Sequence, residues 1–149
     1  MQQKLERDIK AAMLAGDKTR SEVIKGLKNA LQYEAVAQNS PDRILSEEQA
    51  QAVLAREAKK RQEAADLYKQ GGSTERAGQE LAEKQIIEEY LPEQMSETQL
   101  AELVKAAVAA VTAPTMADMG RIIGEVKARA GVSADGATIA RLVKQALQS

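Results

Sequence analysis

The chain has 149 residues, of which 29% are charged, and its 21 basic and 22 acidic side chains leave a net charge of −1. It contains no cysteine, histidine, phenylalanine or tryptophan. Disulfides, thiolate nucleophiles and Cys-based zinc sites are therefore excluded, and the usual general base and the commonest metal ligand are missing. Leu, Ile and Val together supply only 30 residues, about a fifth of the chain, which is near the floor for a folded domain. Disorder also needs a large net charge, so the composition predicts a folded chain with a thin, alanine-rich core, in one domain or two small ones. The longest purely apolar run is AAVAAV at 106–111, far short of the roughly 20 residues that span a bilayer. MQQKLERDIK at the start lacks the apolar centre of a signal peptide. The expectation is a soluble cytoplasmic protein that makes no membrane contact.

The spacing of apolar residues predicts helices throughout. Residues 4–14 place Leu5, Ile9, Ala12 and Met13 at helical intervals, and AGDK at 15–18 breaks that pattern. Asp17 is placed to cap a second helix with a stripe of Ile24, Leu27 and Leu31. NSPD at 39–42 is turn chemistry. Ser46 with Gln49 three residues on reads as a capping box for a third helix, through Val53, Leu54, Ala58, Ala65 and Tyr68. Gly71–Gly72 stops it, and Ser73 is expected to cap a fourth helix carrying Ala77, Leu81, Ile86, Ile87 and Tyr90. Pro92 forces Leu91 out of the helical region and ends that helix. Ser96 and Gln99 then spell a second capping box, with Leu100, Leu103, Val104, Ala107, Val108 and Val111 on one face. Thr115 and Asp118 cap the next helix (Met116 to Val126), and the last holds Ile139, Leu142, Val143, Ala146 and Leu147. No segment alternates with the two-residue period of a strand. The fold class expected is all-α: a four-helix part over 1–95, a proline joint, and a three-helix part over 96–149.

Charged residues also fall where apolar stripes should continue. Arg20, Ile24, Leu27, Leu31 and Glu34 follow one another at helical spacing, as do Val53, Glu57 and Arg61. Arg stems can lie along apolar surface while their heads reach a carboxylate, so inter-helix pairs are expected, Arg20 with Glu57 or Arg61 with Glu34. Tyr33, Tyr68 and Tyr90 lie on or near apolar stripes and are expected to pack rather than to stack on bases. In the last helices Arg121, Lys127, Arg129, Arg141 and Lys144 gather around the glycine-bearing loop AGVSADG, residues 130–136. The amides near Ala134–Gly136, at the start of the final helix, could receive a phosphate there, with Arg121, Lys127 and Arg129 adding charge.

Four segments carry a family resemblance: DKTRSEVIKGLKNALQYE (17–34), VLAREAKKRQEAADLY (53–68), LAEKQIIEEYLPEQMSETQL (81–100) and MGRIIGEVKARAGVSADGATIARLVKQAL (119–147). Together they resemble the YqeY family, the YLPEQ joint and the MG…G…ADG stretch being the most specific parts. The resemblance implies a two-part all-helical fold. It further implies that residues 96–149 are similar to the tail domain of the B subunit of the tRNA-dependent glutamine amidotransferase, which contacts the body of tRNA and performs no chemistry. Relatives often place lysine and glycine where this loop reads AGVS. The expectation that follows is a non-catalytic, tRNA-binding accessory protein without cofactor or metal. Arg121, Lys127, Arg129, Asp135, Gly136, Arg141 and Lys144 are its contact residues. Two alternatives stand beside it. One is an amidotransferase-linked activity, carbon–nitrogen ligation with glutamine as amide donor, for which the chain offers no cysteine, histidine or G-x-x-x-x-G-K loop. The other is a protein-interaction module, docking an amidotransferase or another partner through the acidic middle, residues 62–93.

Overall fold

A computed structural model describes all 149 residues, in seven α-helices and no strand. The helices are α1 (Gln2–Leu14), α2 (Lys18–Ala37), α3 (Glu47–Gln70), α4 (Thr74–Glu88), α5 (Glu97–Ala109), α6 (Met119–Ala130) and α7 (Gly136–Gln148). They form two compact units, Met1–Leu91 and Pro92–Ser149, each with its own core. The all-α expectation, four helices before a proline and three after, holds.

The caps explain where the helices begin. Asp17 accepts the Arg20 amide at 3.0 Å and starts α2. Both Ser–x–x–Gln boxes are complete. Gln49 N–H donates to Ser46 Oγ at 3.1 Å and Ser46 N–H to Gln49 Oε1 at 3.0 Å; for Ser96 and Gln99 the distances are 3.1 and 2.9 Å. Each box satisfies two amides that the helix itself leaves without acceptors. Ser73 differs: it stands at the start of α4, but its side chain caps nothing.

In the first unit, Leu5 of α1, the stripe Val23, Ile24, Leu27, Leu31 and Ala35 of α2, and Val53, Leu54 and Ala58 of α3 are buried together with Ile87 and Tyr90. Burying a leucine or isoleucine side chain contributes about 1.5–3 kcal/mol, so these few large residues hold the unit. Beyond Ala58 the contacts of α3 are with α4. Only the small Ala65 and Ala77 are buried there, and polar bridges do the rest: Arg61 to Glu83 at 2.9 Å and Lys84 to Gln62 at 2.9 Å.

The four charged residues on the stripes form ion pairs, but with partners other than those expected. Arg20 pairs with Glu89 at the end of α4. Glu57 pairs with Lys60 on its own helix at 2.9 Å. Arg61 reaches Glu83 and Glu80 on α4, and Glu34 takes Arg56 at 3.2 Å. The reason is that α4 supplies acceptors to both arginines, so neither Arg20–Glu57 nor Arg61–Glu34 forms.

Two apolar expectations also change. Met13 is 59% exposed at the end of α1, and Tyr33 is 80% exposed. Tyr33 follows the buried Leu31 by two residues, which turns it to the far side of the helix at about 100° per residue. Tyr90 does pack. Its ring is buried, its hydroxyl donates to Asp8, and the Lys4 ammonium lies 5.3 Å from the ring centroid. Leu91 packs against the same core.

The second unit begins at Pro92. Met95 lies against its core, the Met95 amide donates to Ser133 O at 2.8 Å, and the Gln94 side chain donates to Val132 O at 3.1 Å. The joint is thereby split: Tyr90 and Leu91 belong to the first core and Gln94 and Met95 to the second unit. Leu100, Val104 and Ala107 of α5, Ile122 and Val126 of α6 and Ile139 and Val143 of α7 form the second core. No helix is long and apolar enough to cross a membrane.

Candidate nucleic-acid interface

The candidate surface is made by α6, the loop after it and the start of α7. Thr115 and Asp118 build the approach: Asp118 Oδ2 accepts the Thr115 amide at 2.9 Å, and Thr115 Oγ1 accepts the Ala117 amide at 3.3 Å. This box closes a single 3-10 turn, Met116–Asp118, from which α6 continues. The sequence places the cap correctly but not the tighter turn behind it. α6 stops at Gly131, whose φ of +58° and ψ of −137° lie where a side chain would be strained. The chain turns through Val132 and Ser133, runs extended at Ala134, and enters α7 at Asp135.

Asp135 is the N-cap of α7. Its carboxylate accepts the Thr138 amide at 3.3 Å and the Thr138 hydroxyl at 3.4 Å. That role sets the geometry of the helix start, and a carboxylate there meets an approaching anion with a like charge. Gly136 has a separate consequence. A Cβ added to it would lie 3.2 Å from Lys127 Cε and 3.3 Å from Nζ, so the absent side chain makes room for the lysine. The ammonium of Lys127 thus rests over the first turn of α7, the positive end of that helix. The amides of Gly136 and Ala137 have no acceptor within the fold.

The remaining basic residues do not all converge on this corner. Lys127 and Arg129, two positions apart, leave α6 about 160° from each other. Arg121 leaves α6 about 120° round from Lys127. Arg141 is occupied: it pairs with Glu97 at the start of α5, at 2.5 Å. Glu97 has no spacing signal in the sequence that would mark it, because its partner lies 44 residues away. Lys144, one turn beyond Arg141, is exposed. Arg121, Lys127, Arg129 and Lys144 make no ion pair with any carboxylate. The structure therefore brings together Lys127, Asp135 and Gly136, neutralises Arg141, and spreads Arg121, Arg129 and Lys144 over other faces.

No group of three or more acidic, histidine or cysteine side chains is arranged to hold a metal ion. The Tyr90 phenol, whose pKa is pushed up by burial and then by its bond to Asp8, belongs to the other unit's core.

Among curated proteins, none matches the sequence. The family model described as Yqey-like protein matches residues 2–147, nearly the full length. The two-unit helical chain with its YLPEQ joint is a member of the YqeY family.

Proposed function

We propose that the chain is a helical accessory protein with no reactive centre of its own, and that its C-terminal unit rests on the phosphate backbone of RNA. tRNA is the natural partner, given the likeness of residues 96–149 to an amidotransferase tail domain, and the cytoplasm is the setting. The observation that carries this reading is the corner at Gly136, where the Lys127 ammonium and the unengaged amides of Gly136 and Ala137 point positive charge at one place. A phosphate suits such a corner, since helix starts favour anions and lysine acts as a point charge toward them. Arg121, Arg129 and Lys144, on other faces, add only long-range, sequence-independent attraction. A role beside an amidotransferase fits a chain without cysteine or histidine better than independent carbon–nitrogen ligation does.

Two charge reversals test it. Lys127→Glu and Lys105→Glu change net charge equally, but Lys105 lies on α5, outside this corner. Filter binding of total tRNA is expected to weaken about tenfold for the first, since one phosphate contact is lost and a repulsion gained, and to change less than twofold for the second. Equal losses from both variants would mean that no localised contact exists.

A further inference from the structure

The exposure of Tyr33 exposes a second surface, in the N-terminal unit. The start of α1, the second half of α2 and the loop 39–44 enclose an open groove of about 770 Å³. Four uncharged amides line it, Gln2, Gln3, Asn29 and Gln32, with the Tyr33 ring among them. Val36 and Ile44, 56% and 62% exposed, supply its apolar part. The loop is fixed in place: Gln2 Nε2 donates to Arg43 O at 3.1 Å, and Asp42 and Arg43 both take left-handed backbone, at φ 55° and 57°.

The lining itself carries one acidic and one basic side chain, Asp42 and Arg43, and the Met1 ammonium beside them is paired with Glu47 at 3.5 Å. Arg43 has no carboxylate partner, and neither has Lys25 on α2. Lys25 stands one turn before Asn29 on the same helix face. The surface thus calls for an anionic ligand with polar edges and a flat face. An aliphatic anchor from a protein would meet four amides whose hydrogen bonds it cannot replace. A nucleobase can stack on the tyrosine and offer its edge to the amides, as Asn and Gln are suited to read.

We propose that this groove binds an unpaired base of single-stranded nucleic acid, with Tyr33 as the stacking face, Asn29 and Gln32 at the base edge, and Arg43 and Lys25 at the flanking phosphates. The one carboxylate in the lining, Asp42, accepts from an N–H on the base edge, and the larger ring system of adenine covers more of the Tyr33 face than that of uracil, so adenine is preferred to uracil. This site is separate from the Lys127 corner and stands without it.

The test is fluorescence anisotropy of the full chain with short labelled oligoadenylate and oligouridylate at about 50 mM salt. Oligoadenylate is expected to bind more tightly. Tyr33→Ala is expected to weaken that binding about fivefold or more, the low end of what one stacked base contributes, and Tyr33→Phe to keep it. Lys127→Glu leaves it unchanged. Tyr33 is exposed, so both variants fold, which the far-ultraviolet circular dichroism confirms. Absence of oligonucleotide binding by the wild-type chain overturns the proposal and leaves the groove to a protein segment. Undiminished binding by Tyr33→Ala, or loss through Lys127→Glu alone, overturns it as well.

Discussion

Removing one oxygen atom, by Tyr90→Phe, tests how the end of α4 is held. The ring stays in a core site that is 7% exposed, so packing is kept and only the hydroxyl's bond to Asp8 is lost. A hydrogen bond to a charged acceptor contributes about 1.5–3 kcal/mol; Asp8 is only half-buried and regains water, which places the loss near 1–2 kcal/mol. For a unit of this size each kcal/mol shifts Tm by roughly 4–8 °C, so the expected drop is about 5–15 °C. The measurement is thermal unfolding followed at 222 nm, near pH 7 and again above pH 10. Burial, then the bond to Asp8, raises the Tyr90 pKa above its ordinary value of 10.0. The folded state therefore prefers the protonated phenol. Its contribution is complete below pH 10 and is lost as pH rises above 10 toward the folded value. Phenylalanine has no proton to lose, so the gap between wild type and Tyr90→Phe narrows in alkali. A drop below 1 °C at neutral pH, or a gap that widens above pH 10, would refute the reasoning.

Ile122→Ala opens a cavity at a fully buried position of the C-terminal core, with an expected loss of about 2–5 kcal/mol. Hydrogen exchange should show α5, α6 and α7 losing protection while α2 keeps it, because the two units have separate cores. Ser96→Ala removes a complete capping box and is expected to cost about 1 kcal/mol in urea unfolding, most of it restored by Ser96→Asp. Arg20→Met breaks a pair whose side chains are 33% and 52% exposed; the expected loss is under about 1 kcal/mol, and a loss twice that size in thermal unfolding would show the pair to be effectively desolvated.

Local chemistry made much of the fold legible in the sequence. Ser46 with Gln49, Ser96 with Gln99 and Thr115 with Asp118 each decide a helix start within four residues, and each box forms. Pro92 ends α4 for a steric reason that needs no tertiary context. Pairings between distant elements were not legible in the same way. Arg20 meets Glu89, 69 residues away, because of how α4 lies on α2; spacing along either helix cannot choose among several carboxylates. The candidate site was half legible for the same reason. Lys127 was recognisable as basic, yet its place over Gly136 depends on the turn at Gly131. Arg141 was lost to Glu97 from another helix. Tyr33 is adjacent in sequence to the apolar stripe of α2 but not on it, since two residues past the buried Leu31 is the opposite side of the helix.

The most direct test of the accessory-protein reading is the salt dependence of tRNA binding by the full chain. One or two phosphate contacts at the Lys127 corner would give a slope of log affinity against log salt of roughly −1 to −2. Measurable binding near 50 mM salt, falling about 4- to 16-fold by 200 mM, is the expected result. No saturable binding even at the lower salt would contradict the account.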